Sequence, residues 1–250
     1  MKISKQAAFQ GIKQLFSIPY IYVTHGFKLP QGNHCSKVQY RLPFEGEWTV
    51  INGGCDKAFS HSWAIPTQRY AYDFVVMDDD GRTHQNNGTE LTSYGCYGKN
   101  VLAPADGVVV AIGNDCDDEI PFGDRAIEIM AKDVRGNYIL IEHAKKEYGF
   151  IGHLQPQSIA VKIGQKVYQG DVIARCGNSG NTSEPHVHFH LQDGISFFTS
   201  AGIPITFENI VISKKQGYEK YDRRRAPDFQ EPTTAKMQIN RGQQVRNEYN

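Results

Sequence analysis

From Tyr70 onward the chain is written in short β-type runs separated by turn residues, and this restricts what it can become. The runs are Tyr70–Met77, Gly107–Asn114, Ala126–Ala131, Tyr138–His143, Tyr148–Leu154, Val172–Cys176 and His186–Leu191. Short strands at such spacing predict a mostly β protein built on an antiparallel sheet or sandwich. The pair around Ala144–Glu147 reads as a hairpin. Asp78–Gly81 and Asp115–Asp124, rich in Asp and Gly, read as exposed loops. Before Tyr70 the pattern is irregular, with one weak helix expected over residues 5–16. The tail from about Lys214 carries nine Lys/Arg against five Asp/Glu and reads as mostly solvated surface that wraps the domain.

Composition narrows the function classes. With 250 residues, 40% hydrophobic and 22% charged, the chain has ordinary globular usage and can bury a core without staples. Lys+Arg and Asp+Glu are both 27, which argues against a nucleic-acid partner. No transmembrane segment is read, because no run approaches the roughly 20 apolar residues that spanning requires. No signal peptide is read either, since Pro19 interrupts the apolar stretch Phe16–Val23. That leaves a protein that stays inside, leaves by another route, or has lost a leader; localisation and oligomeric state stay open. The five cysteines, Cys35, Cys55, Cys96, Cys116 and Cys176, form no C-x-x-C pair and read as scattered thiols. One disulfide, such as Cys96–Cys116, stays allowed.

The chemistry concentrates in Pro185-His186-Val187-His188-Phe189-His190-Leu191. Alternate residues of a strand share a face, so the three histidines line one side while Val187, Phe189 and Leu191 enter the core. Imidazoles arranged this way suit zinc, which at catalytic sites takes three protein ligands and a water. Asp73 is a carboxylate within the apolar run Tyr70–Val76, and a buried carboxylate must be paired or metal-bound. His153 stands near the end of the hairpin's second strand. His143, closing the first, reads as structural or exposed. Gly177-Asn178-Ser179-Gly180 is not a nucleophile elbow, because position 181 is Asn; it reads as a tight turn feeding the histidine strand.

The order of these segments resembles the lysostaphin-type zinc metalloendopeptidases, which cut peptidoglycan cross-bridges. The likeness runs from Gly98–Val109, including Ala103-Pro104-Ala105-Asp106-Gly107, through Gly152-His153-Leu154 and Val161–Ile173. It closes on Gly177–Asn181 and His186-Val187-His188-Phe189. It covers about Tyr70 to Gln192. It implies an antiparallel β fold with a groove, divided as an N-terminal extension (1–66), a metallopeptidase core (67–200) and a C-terminal polar extension (201–250). It implies a Zn2+ cofactor, a peptidoglycan peptide substrate, Asp73 and His188 as metal ligands, and His153 with His186 as the catalytic pair. The first metal histidine of the family stands four residues before the Asp, where this chain has Arg69, and a guanidinium cannot ligate zinc. His61 is expected to serve instead, with His25, His34 and His84 as alternatives. At His190 the family usually has an acid; the histidine either orients a ligand or faces solvent, and solvent is the expectation taken. The alternative function is a catalytically inactive member that binds wall peptide or a partner. A biotinyl/lipoyl-type carrier, with Lys145-Lys146 on the hairpin, leaves the histidines unexplained.

Overall fold

The structure is a computed structural model and describes residues 2–3, 5–32, 36, 38–121, 128–129, 131–224 and 236–248. One antiparallel sheet organises it. Its strands are β1 (Trp48–Asn52), β2 (Tyr72–Val75), β3 (Gly107–Gly113), β4 (Asn137–Ala144), β5 (Glu147–Leu154), β6 (Lys166–Val167), β7 (Val187–Gln192), β8 (Gly202–Ile203), β9 (Ile210–Lys214) and β10 (Gln243–Asn247). They lie in the order β9-β10-β1-β2-β7-β5-β4-β3-β6, with β8 added to β7. Asn100–Leu102 and Val172–Arg175 form a separate antiparallel pair. The expected strands coincide with observed ones to within a few residues, except that the run Ala126–Ala131 lies largely outside the described residues. The β4–β5 hairpin turns at Lys145-Lys146, with Lys146 in the left-handed region (φ 62°).

Alternation sorts the two faces. Tyr72, Phe74, Ile139, Ile141, Ile151, Val187, Phe189 and Leu191 enter one large core. The other face carries Leu140 and Phe150, packed with Phe197 and Phe198, beside the imidazoles of His188 and His190. In register, His188 sits opposite Asp73 on one side and Gly152 on the other. A carboxylate and an imidazole far apart in sequence thus meet because β2 and β7 are neighbours.

Two of the sheet's register slips lie beside His188. Between Ile151 and Leu154 on β5 there is one residue more than between Asn137 and Ile139 on β4. The extra residue is accommodated by His153, whose φ of 59° is left-handed. Ile151 and Leu154 both enter the core, so the bulge shifts the parity and turns His153 to the histidine face. On β1 the register slips between Val50 and Asn52, which brings Asn52 opposite Asp73.

Several expectations are corrected. The helix, α1 (Lys5–Thr24), is longer than residues 5–16 and runs through Pro19. Tertiary ties hold it: Val134 N donates to Gln10 Oε1 (2.7 Å), Arg69 Nη2 donates to Tyr22 Oη (2.9 Å), and Ile21 is buried. The polar tail is not merely solvated surface. β10 joins the sheet, and buried Asn247 donates through Nδ2 to the carbonyls of Leu42 and Phe44. Cys55, Cys96, Cys116 and Cys176 are free thiols; Cys35 lies outside the described residues.

The left-handed backbone at position 153 yields a stability test. A side chain at such an angle costs about 1–2 kcal/mol relative to glycine. His153→Gly should therefore be more stable than His153→Ala by about 1 kcal/mol in urea unfolding, the reverse of the order at a regular strand position.

Candidate metal centre and cleft

Five of the sequence-derived residues converge on the histidine face. His188 Nδ1 is 2.9 Å from Asp73 Oδ1, His186 Nε2 is 3.6 Å from the same oxygen, and His61 Nε2 is 3.6 Å from Asp73 Oδ2. The rings of His153 and His186 lie 4.7 Å apart, and those of His153 and His188 5.6 Å. One ligand nitrogen from each of His153, His186 and His188 falls within 4.8 Å of the others. Burial raises the Asp73 carboxyl, but the imidazoles of His61, His188 and His186 outweigh it and hold the group well below the usual carboxylate range. Burial lowers His153 well below an ordinary histidine, and neighbouring His186 and His188 push the same way.

The alternatives to His61 sit elsewhere. His25 bonds Asp193 (2.5 Å) and the Ile21 carbonyl, and His84 packs on Tyr94. His34 lies outside the described residues. Arg69 stays out of the site, its Nε donating to the Trp63 carbonyl and its Nη2 to Tyr22. His143 is structural: Nδ1 bonds the Asp106 carbonyl and the ring meets Tyr40 edge-on at 5.3 Å.

His190 corrects the expectation of a solvent-facing ring. It is fully buried, stacked on Phe150 at 4.9 Å, and lies in a chain of hydrogen bonds that orients His188. Gln192 Nε2 donates to the Gly194 carbonyl (2.6 Å), which leaves Oε1 as the acceptor for His190 Nε2 (3.0 Å). Burial and the neighbouring His188 push the His190 pKa down to about 3, so the ring is neutral. Its Nδ1 is then a bare acceptor and takes the proton of His188 Nε2 (2.9 Å). This network assigns the neutral His188 tautomer with an unprotonated Nδ1, aimed at the Asp73 carboxylate. Two acceptors facing each other at 2.9 Å repel unless a cation stands between them or His188 is itself an imidazolium. A buried carboxylate among imidazoles, with one lone pair fixed toward it, is a donor set that fits a divalent metal.

Other partners were missed in the sequence. Asn52 Nδ2 donates to Asp73 Oδ2 (3.2 Å), and Arg224 Nη2 donates to Asn52 Oδ1 (3.0 Å), which sets the orientation of that amide. Asn52 stands before Gly53-Gly54, and that pair was the available signal of an irregular strand end. Gln192 continues the His186-His188-His190 alternation by one more step. The turn expected at Gly177–Gly180 holds His153: the Ser179 carbonyl accepts from Nδ1 (2.7 Å), turning Nε2 toward the cleft. Gly180 (φ 87°) nests against Gly136, where an added Cβ would meet Gly136 N at 2.3 Å. His186 Nδ1 is likewise bound by the Glu184 carbonyl (2.8 Å).

These groups form the floor of a cleft of about 790 Å³. Its lining also includes Ser62, Gln68, Arg135 and Thr182, with Ala8, Gly11 and Leu15 of α1. Gln192→Leu removes the acceptor that fixes the relay. Zinc affinity, measured by competition with a chelator, is expected to fall roughly 10–100-fold with the fold intact.

Comparison with known proteins places this site in context. Residues 84–199 match the model of Peptidase family M23. Over 110 residues the chain is 33% identical to the peptidoglycan DD-endopeptidase ShyA of Vibrio cholerae, covering 44% of this chain and 21% of that one. Over 112 residues it is 29% identical to the cell division protein DipM of Caulobacter vibrioides, covering 45% and 15%. The chain thus spans about a fifth of the length of these curated relatives. Among solved structures, the M23 metalloprotease pseudoalterin aligns with 16% identity and a TM-score of 0.44, covering 82% of this chain and 100% of that one. The catalytic domain of lysostaphin from Staphylococcus simulans aligns with 17% identity and a TM-score of 0.33, covering 66% and 88%. His153, His186 and His188 fall inside the matched residues, whereas His61, Asp73, Asn52 and Arg224 lie outside them. The likeness to Peptidase family M23 is confined to residues 84–199, a little under half of the chain.

Proposed function

We propose that this chain is a zinc metalloendopeptidase that hydrolyses peptide bonds of bacterial peptidoglycan cross-links. The observation that carries this reading is Asp73, a buried carboxylate flanked by His61, His186 and His188 on the floor of an open cleft. The M23 match and the peptidoglycan endopeptidase relative support the substrate class.

In this reading Asp73, His188 and His61 hold the metal, and His153 and His186 handle protons. Nitrogens of His153, His186 and His188 also cluster closely enough to bind an ion. The carboxylate set is preferred because it places the anion, which burial makes costly, against the cation. A divalent ion so held supplies a Lewis acid for the peptide carbonyl and lowers the pKa of water.

The remaining work falls to the chain's own residues. His153 and His186 each have Nδ1 occupied by a backbone carbonyl, so Nε2 of each is directed at the cleft. Burial keeps His153 neutral, with Nε2 available to take a proton from the attacking water. The proton His153 takes from the water is the one it returns from Nε2 to the leaving amine, and His186, beside it, stabilises the developing oxyanion when its Nε2 also carries a proton. Asn52 and Arg224 hold Asp73 in orientation. Thr182 Oγ1, 3.2 Å from His186 Nδ1, helps fix that ring. Arg69, the residue that favoured an inactive member of the family, has its guanidinium on Tyr22 and Trp63 instead.

Three substitutions separate the roles. His188→Ala is expected to lose bound zinc and all turnover of purified peptidoglycan. His153→Ala should keep zinc near one per chain while kcat falls about 100- to 10,000-fold. His61→Ala should weaken zinc binding, and unchanged affinity would move the third ligand to another residue. Metal analysis after zinc loading, beside release of new amino groups from the wall, reads all three.

A further inference from the structure

α1 presents two different faces. Its inner face is tied down through Gln10, Ile21 and Tyr22, as described above. On its outer face Phe9, Phe16, Tyr20 and Val23 project to solvent, with Phe9 68% and Phe16 78% exposed. At 3.6 residues per turn these four positions fall within roughly 60° of one another, and exposed Lys5 shares their meridian. Just beyond the helix end, Phe27 is 74% exposed and is followed by exposed Lys28. The result is a continuous stripe of aromatic and aliphatic side chains with a lysine at each end. A helix apolar on the side away from its own protein is built to be covered.

Charge identifies what covers it. The first 44 residues contain Lys2, Lys5, Lys13, Lys28, Lys37 and Arg41, and no Asp or Glu precedes Glu45. The whole chain is balanced at 27 cations and 27 anions, so the positive charge is segregated to the segment that carries the stripe. A protein partner is ordinarily met by a rim of mixed charge. An apolar stripe rich in aromatic residues, with Lys5 and Lys28 at its ends, matches a bilayer with anionic headgroups. The helix does not have the length and apolarity to cross that bilayer, which fits an element lying in its surface.

We propose that α1 docks the protein on anionic lipid bilayers through Phe9, Phe16, Tyr20, Val23 and Phe27, with Lys5 and Lys28 on the headgroups. Because Ala8, Gly11 and Leu15 of the same helix border the cleft, docking brings the cleft mouth to within about one helix diameter, ~10 Å, of the lipid.

The test is co-sedimentation of the full chain with vesicles of phosphatidylcholine alone or with about a quarter phosphatidylglycerol. Binding is expected to be about thirtyfold stronger to the anionic vesicles, from two exposed lysines near the surface. The double variant Phe16→Glu/Tyr20→Glu should fall to the background, whereas Ile163→Glu, at an exposed apolar residue outside α1, should not change. A second readout does not depend on the double variant folding. Phe16→Trp should gain blue-shifted emission relative to the parent on adding anionic vesicles, and lose it to brominated lipid. Failure of the parent to prefer anionic vesicles, an undiminished double variant, or no emission change at position 16 overturns the proposal. So does a dimer that the double variant dissociates in the absence of vesicle binding, which would assign the face to a second copy of this chain.

Discussion

The contact on which the site depends is that of the Asp73 carboxylate with the His188 imidazole. Asp73 Oδ1 and His188 Nδ1 face each other at 2.9 Å, both buried, with the hydrogen-bond chain Gly194–Gln192–His190 pinning the His188 proton on the far nitrogen. A sheet does not bring a carboxylate and an imidazole together in its interior without compensation, because burial strips both of water. A proton on His188 Nδ1 or a cation between the two would supply it. Much of what surrounds them, from Asn52 on the second carboxylate oxygen to Arg224 behind Asn52, serves to hold that arrangement in one orientation.

Regular sheet geometry places only part of the site. Alternation puts Asp73, His188 and His190 on one face and Tyr72, Phe74, Val187 and Phe189 on the other. His153 and Asn52 belong to the core face by parity and reach the site through one-residue slips on β5 and β1. The His153 slip requires a left-handed backbone in a bulky residue. Such strain is retained where the surroundings over-determine it, here by the Ser179 carbonyl on Nδ1 and the nested glycines Gly136 and Gly180.

This division explains what could be read in advance. The antiparallel β class and most strand positions follow from local alternation and turn residues, which act over a few residues. The gathering of His61, Asp73, His153, His186 and His188 was expected from motif order within a family resemblance. The burial of His190 was not, because its environment depends on Gln192 and Phe150, set by the pairing of β7 with β5. Asn52 and Arg224 were invisible for the same reason: their contacts span 21 and 172 residues of sequence. The tail misled because polar residues in β10 hold backbone carbonyls rather than water, as Asn247 does for Leu42 and Phe44. α1 outran its expected end because tertiary ties offset the missing donor at Pro19.

The most direct measurement is the anomalous X-ray signal at the zinc edge from crystals of the chain grown with zinc. The account predicts one strong peak within about 2.0–2.2 Å of a carboxylate oxygen of Asp73, His188 Nδ1 and His61 Nε2. A peak bound by His153 and His186 without Asp73, or no peak on this face of the sheet, would contradict it.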